Sequence, residues 1–427
     1  MALQNPFFPV KDDTLHAERI ALTSIAEEFG TPTYVYSAGH IRNQYKQLND
    51  AIQGIMPKGR HAMICYACKA NSNLAILKLL QQEGCGLEVV SEGELIRGLK
   101  AGIDPQKIVS TGVGKTNQEI RAQIEADIYN INVESLPELE RISAIADDMN
   151  KTARVIFRLN PEVSGGGHHK ISTGRRGDKF GLMKDDVFKA YGMAKGMKNV
   201  QALGLMIHIG SQVSQVNAFD TAFSKLPAIV GELRAAGHTV SRLDIGGGFP
   251  VKYTQDDQLL DLSAYANWVR DIIVPLDVDI ALEPGRYLVA NSGVLLTRVT
   301  DVKEAQGQNF LIFDAAMNDL LRPAMYDAYH EIAPVQNHNA PETVYDVVGP
   351  VCETGDTFTR DRTLPRMKRD DLAVIQTAGA YGMCMSSNYN TRPRAAEILV
   401  DGDQYAVINA RESYDDLFAR ESVPAWL

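Results

Sequence analysis

Long apolar runs are missing from this sequence. No stretch reaches the roughly 20 consecutive apolar residues that a membrane-spanning helix needs, so such a helix is excluded. Excess positive charge is missing too: the net charge of −10 argues against a surface for nucleic acid or anionic lipid, and any anion site must be local. Cysteine is scarce, five residues in 427, which excludes a disulfide framework. Cys65 and Cys68 do form a C-x-x-C, but residues three apart on a strand point to opposite faces, which speaks against a redox or zinc pair. The opening MALQNPFFPVKDD lacks both a basic segment followed by an apolar one and an Arg-rich amphipathic pattern, so a cytoplasmic protein is expected. Internal repeats, low-complexity segments and flexible linkers are also lacking.

A regular rhythm of short apolar strands and helical segments takes their place. The expected strands are 62–68, 86–91, 107–111, 128–133, 153–159, 202–209, 242–245 and 279–283. Strands alternating with helices over roughly 230 to 250 residues fit an α/β (β/α)₈ barrel of TIM type. A doubly wound open sheet explains less well why polar groups close so many of the strands. After Arg286 the rhythm changes to strands at 293–302, 309–313, 343–348, 372–376 and 396–400, with an Asp401-Gly402 hairpin leading to 405–408. The expected organisation is a barrel over 36–285 and an all-β sandwich or barrel domain over 286–427, joined by residues 1–35. Within that N-terminal segment, 14–30 reads as an amphipathic helix stopped by Gly30, followed by a small strand at 34–36.

Lys69 closes the first strand, in Tyr66-Ala67-Cys68-Lys69-Ala70-Asn71. A lysine there loses hydration unless it snorkels, pairs with an acid or is used chemically. Taken alone, it marks a strand's exit into solvent. Three other strand ends change that reading: His208, the run Gly246-Gly247-Gly248, and Glu283-Pro284-Gly285-Arg286. A lysine for a Schiff base, glycine amides for a phosphate, an acid for a ring nitrogen and a flat ring to stack together describe a pyridoxal 5'-phosphate site. For His208, ring stacking competes evenly with a satisfied core histidine. Glu283 would keep the pyridine nitrogen protonated, and an arginine there would weaken the electron sink.

Other motifs carry less. Gly112-Val113-Gly114-Lys115-Thr116 resembles the end of a P-loop, but Val109 stands where the first glycine is required. Gly165-Gly166-Gly167-His168-His169 lacks a third ligand for a metal, so a loop over the barrel mouth is expected and no metal site. Arg322-Pro323-Ala324-Met325-Tyr326 and Gly349-Pro350-Val351-Cys352-Glu353 fall in turn-rich stretches. Cys352, carrying a thiol, could donate a proton.

The motifs YACKAN, LEVVSEGEL, HIGSQ, LDIGGGFP, EPGR, RPAMYDAYH, GPVCETGD and GAYGMCMSSNYN together resemble the diaminopimelate decarboxylase family, within the alanine-racemase-like (fold type III) pyridoxal phosphate enzymes. The resemblance spans nearly the whole chain. It implies that Lys69 carries the cofactor, with His208 stacking on its ring and Glu283 pairing its nitrogen. Ser211, Gly247, the segment 283–286 and Tyr381 would hold the cofactor and its phosphate. Arg286, Arg322 and Tyr326 would take the substrate's distal carboxylate, and Glu353 its distal ammonium, with Tyr381 alongside. Cys352 and Glu353 would come from a neighbouring subunit, implying a homodimer with shared sites. The basic pair Arg175-Arg176 before Lys179-Phe180-Gly181 departs from the pattern.

The implied reaction is decarboxylation of meso-diaminopimelate to L-lysine, with Cys352 or Lys69 as the final acid. An ornithine- or arginine-type decarboxylase is the alternative, but those resemble this chain with aspartate after the cysteine, where Glu353 stands. A racemase would place arginine at Glu283. A catalytically dead regulatory homologue would have no need of Lys69, Glu283 and Cys352.

Overall fold

The computed structural model describes residues 5–163, 179–337 and 339–427. The Gly165–Gly167, His168–His169 and Arg175–Arg176 features lie outside them. The chain divides into two compact units, one of Met1–Ile41, Lys252–Asp257 and Val289–Leu427, the other of Arg42–Val251 and Gln258–Leu288.

The second unit is a closed barrel of eight parallel strands. In chain order these are β1 (Ala62–Ala67), β2 (Gly86–Val89), β3 (Ile108–Ser110), β4 (Asn130–Val133), β5 (Ala153–Arg158), β6 (Val200–Met206), β7 (Arg242–Asp244) and β8 (Asp279–Leu282). Closure is made where β8 pairs with β1, Ile280 opposite Ala62. The strands are almost wholly buried because helices cover their outer side, which is why they read as continuous apolar runs. Side-chain caps start the helices sharply. Asn73, Ser91 and Ser135 each accept a backbone N–H of the following turn, and Thr116 with Glu119 forms a capping box. Short strands with firmly capped helices set every strand's C-terminal end at one mouth.

The first unit is a nine-stranded mixed sheet. Its N-terminal strand Thr33–Ser37 lies between Gly293–Ala305, antiparallel, and Ala396–Asp401, parallel. Its core gathers Leu22, Ile25, Val35, Leu296, Val374, Ile398 and Val400. Burying each such side chain contributes roughly 1.5–3 kcal/mol.

Two sequence expectations fail here. The 14–30 helix is instead a strand Thr14–Ala17, a strand Ile20–Ala21 and a helix of only Leu22–Phe29. Glu18, at φ 53°, makes the turn between those strands, and its carboxylate accepts N–H bonds from Gly39 and Gly402, which outweighs the helical pattern. The second failure is the turn-rich reading of 322–326, which forms a short helix Arg322–Tyr326. Pro323 suits its first turn. A further strand, Thr357–Pro365, was not expected, because its alternation of Thr and charged residues hides a strand with few apolar positions. Among the described residues no helix is long and apolar enough to cross a membrane.

Candidate active site

Lys69 sits just beyond β1, on a single 3₁₀ turn, Cys68–Ala70. The turn is tied at both ends: Tyr66 Oη donates to Asn71 O at 2.9 Å, and Ala67 N–H donates to Pro284 O at 3.0 Å. This second bond sets the lysine segment beside the end of β8, which carries Glu283. The Lys69 ammonium lies 2.7 Å from Glu88 Oε2 on β2, so pairing with an acid, one of the fates the sequence left open, is seen here. Glu88 is fully buried, and its Oε1 has no hydrogen-bond partner among the described residues.

Glu283 follows β8 and is also buried. A relay of side chains reaches it across the barrel interior. Asn130 donates to Asn132 at 2.8 Å, Asn132 to Thr111 at 2.9 Å, and the Thr111 hydroxyl to Glu283 Oε1 at 2.9 Å. Burial pushes the Glu283 carboxyl well above its ordinary range, reinforced by the charges of Asp244 and Glu88, while Lys69 opposes the shift. Asp244, closing β7, is pushed up to about 6, chiefly by burial, although it accepts the Gly246 amide at 2.9 Å. Each of these two buried carboxyls perturbs the other, and at Glu283 the charge of Asp244 adds to burial in favouring the protonated form.

His208 is two residues past β6. Burial lowers its pKa well below the usual value, and the charges of Arg158 and Lys69 add to the effect, so its ring is neutral. Its Nδ1 accepts the Gly247 amide at 3.2 Å. A neutral flat ring with a fixed plane is what stacking requires. Arg158, closing β5, pairs with Glu134 at 2.7 Å and lies over the Phe180 ring, while Glu134 also accepts the Gly181 amide. That pair fixes the chain on leaving the undescribed 164–178 segment.

The glycine run has a packing reason as well as a chemical one. A Cβ on Gly247 would lie 2.1 Å from Glu283 O, and one on Gly246 2.7 Å from Ile207 O, so neither position admits a side chain. The amides of Gly246 and Gly247 are engaged by Asp244 and His208, so a phosphate at this run would be left the Gly248 amide and those beyond it. Arg286, mostly buried at the start of its helix, donates from Nε to Ser211 Oγ at 3.2 Å. The structure thus brings Lys69, His208, Gly246–Gly248, Glu283 and Arg286 with Ser211 into one barrel mouth.

Arg322, Tyr326, Cys352, Glu353 and Tyr381 belong to the sheet unit. Arg322 lies with its Cζ 4.7 Å from the centre of the Tyr253 ring and its Nη1 2.7 Å from His330 Nε2. The loop carrying Cys352 is folded around the buried Asp356 carboxylate, which accepts the amides of Val351 at 2.7 Å and Met317 at 2.6 Å. Cys352 and Glu353 themselves are exposed. Tyr389 Oη donates to Glu353 Oε2 at 2.7 Å, and the Cys352 amide donates to Asn390 Oδ1 at 3.5 Å. Tyr381 adopts φ 56°, a left-handed conformation costly for a tyrosine and held only where surroundings impose it.

Pyridoxal phosphate fits the barrel residues. Glu88, Asp244 and Glu283 are buried acids with the Lys69 ammonium as the opposing charge, so a protonated ring nitrogen set against Glu283 would return it to its ionised form. The class follows from the sequence as well. The family described as pyridoxal-dependent decarboxylase, pyridoxal binding domain, matches residues 38–290.

More specific relatives cover the whole length. Diaminopimelate decarboxylase of Pseudomonas aeruginosa is 44% identical over 416 residues, 97% of this chain and 99% of that one. The crystal structure of diaminopimelate decarboxylase from M. jannaschii in co-complex with L-lysine is 37% identical, covers 99% of both chains and superposes with a TM-score of 0.94. The enzyme from Helicobacter pylori complexed with L-lysine is 38% identical over 93% of this chain and 98% of that one, with a TM-score of 0.89. The chain belongs to the diaminopimelate decarboxylase family.

Glu88, Asp244, Thr111, Tyr389 and His330 escaped the sequence reading as site residues. A signal was present: Glu88 is an acid inside an otherwise apolar barrel strand, and Asp244 is an acid closing a strand just before the glycine run. Thr111 carries no such mark, while His330 and Tyr389 stand inside the stretches RPAMYDAYH and GAYGMCMSSNYN with nothing local to single them out.

Proposed function

We propose that the chain decarboxylates meso-2,6-diaminopimelate to L-lysine and carbon dioxide, the last step of lysine biosynthesis. One observation carries this reading: a lysine ammonium set over buried acids where eight parallel strands end. Bound at Lys69, pyridoxal phosphate supplies the sink for the electron pair left when carbon dioxide departs.

The chain's own residues do the rest. Glu283, held by Thr111, takes the ring N–H as a carboxylate and so keeps the ring nitrogen protonated. His208, its ring neutral, would stack on the cofactor. Ser211, Gly246, Gly247, Gly248, Pro284, Gly285, Arg286 and Tyr381 would hold the cofactor, with the phosphate received by the Gly248 amide and those after it. Glu88 would hold the Lys69 side chain as an ammonium whenever it is not joined to the cofactor, the proton being the one that the substrate's ammonium gives up. Either Lys69 or Cys352 would supply the proton that takes the place of the lost carboxylate.

Selectivity rests on the substrate's far end. Arg286, Arg322 and Tyr326 bind its distal carboxylate, a group that ornithine and arginine lack. Glu353, held by Tyr389, takes the distal ammonium, with Tyr381 beside it. The resemblance that brings Cys352 and Glu353 from a neighbouring subunit supports a homodimer with shared sites. In this reading residues 36–285 form the cofactor domain, and 1–35 with 286–427 the second. The five cysteines are free thiols, which supports a reducing compartment, the cytoplasm.

Carbon dioxide release from the cofactor-loaded protein, measured with meso-diaminopimelate, ornithine, arginine and lysine in parallel, tests the assignment. Release from diaminopimelate alone is expected. Faster release from ornithine or arginine would move the chain to that class, and no release at full cofactor content would make it an inactive homologue.

A further inference from the structure

Arg322 and His330 are both buried in the sheet unit, and their contact fixes a protonation state. Arginine can only donate, so His330 Nε2, 2.7 Å from Arg322 Nη1, must present its lone pair. On the other side His330 Nδ1 lies 2.8 Å from Gln376 O, which can only accept, so Nδ1 carries the hydrogen. Only the neutral Nδ1–H tautomer satisfies both partners, and an imidazolium would set N–H against N–H.

The surroundings keep that ring still. Gln376 N–H donates to Glu331 O at 2.8 Å, and Arg362 Nη2 donates to His330 O at 3.2 Å. Tyr253 meets the His330 ring edge to face at 5.3 Å while lying beneath Arg322. The guanidinium is therefore held at one edge by His330 and across its plane by Tyr253. A planar fork recognises a carboxylate in two-point fashion only when its plane is set beforehand.

We propose that His330 is a positioning residue for substrate selection: as a neutral acceptor it orients Arg322 toward the distal carboxylate without neutralising its charge. An aspartate or glutamate at this place would also hold the arginine, but as a counter-ion competing with the substrate. The proposal rests on the reading that Arg322 binds the distal carboxylate.

L-lysine and cadaverine differ by that carboxylate alone, so their inhibition constants against the holoenzyme report it. His330→Leu should weaken L-lysine by roughly tenfold or more and raise the KM for meso-diaminopimelate similarly, as expected for a lost hydrogen bond to a charged group. Cadaverine should change by less than about twofold, and kcat by less than about threefold. His330→Gln, which restores a neutral acceptor, should recover most of the L-lysine affinity, whereas His330→Glu should not. Cofactor content and melting temperature identify a variant that has failed to fold, and the Gln and Glu pair then carries the comparison. Equal weakening of both inhibitors, no weakening of either, or equal rescue by Gln and Glu overturns the proposal. Arg322→Met separates the two layers. If it discriminates L-lysine from cadaverine and the His330 variants do not, only the positioning role falls; if it does not discriminate, the reading of Arg322 falls and the proposal with it.

Discussion

The Lys69 ammonium lies 2.7 Å from Glu88 Oε2, and the two differ sharply in surroundings: the lysine side chain is 42% exposed and the glutamate 0%. The acid is enclosed by the barrel, while the lysine side chain is open to an incoming group. Glu88→Gln keeps the volume and removes the charge, so Lys69 loses its resting place between release and return. We expect kcat to fall about tenfold to a hundredfold with cofactor content near one per chain, as for other positioning groups around a reactive centre. Wild-type kcat in a fully loaded variant would contradict this.

Glu283 is the second test. Burial disfavours its charged form, and only a cation against it restores the carboxylate. Glu283→Gln should bind the cofactor and lose about a hundredfold or more in kcat, because a neutral amide cannot hold the ring nitrogen protonated. Unchanged turnover at full occupancy removes Glu283 from this role.

How much of this was legible in the sequence depends on the range of the contact. The barrel was legible because β1 to β8 are short, mostly apolar and buried segments punctuated by capped helices, a local pattern. Lys69, His208 and Glu283 were legible because each closes such a strand. Glu18 was not: its bonds to Gly39 and Gly402 come from far along the chain, and they replace half of a helix that periodicity supported. The same holds for His330, whose meaning lies in Arg322 eight residues away and Gln376 forty-six away. Tyr389 is one aromatic in a loop until its hydroxyl is seen on Glu353.

Shared sites make a prediction that needs no structure of the dimer. Lys69→Ala and Cys352→Ala proteins should each be inactive, and their mixture should recover activity. Each heterodimer would then hold one site missing both groups and one intact site, giving up to about half the wild-type rate per heterodimer if the sites are independent. Exchange confirmed by mass spectrometry with no recovered activity would show that each site is built from one chain.

His40 couples stability to pH in the sheet unit. Its ring nitrogens have no hydrogen-bond partner among the described residues, Phe7 meets it edge to face at 5.1 Å, and burial lowers its pKa to about 4. A base with a depressed folded pKa contributes stability that is present above the unfolded value and is lost as pH falls through the folded one. Between the ordinary 6.5 and about 4, the unfolded chain binds the proton that the folded chain refuses. The loss at pH 5 is on the order of 2 kcal/mol and is negligible at pH 8. His40→Leu should therefore gain on the wild type in melting temperature between pH 8 and pH 5. Parallel pH profiles for the two proteins would rule this out.

The central claim is that Lys69, at the end of β1, is the residue that carries pyridoxal phosphate. Borohydride reduction of the holoenzyme, followed by digestion and mass spectrometry, locates the cofactor directly. The account predicts a single pyridoxyl group on the peptide containing Tyr66 to Asn71, attached at Lys69 and absent from Lys69→Ala protein together with the visible absorbance. A pyridoxyl group on another lysine, or an undiminished label in Lys69→Ala, would contradict it.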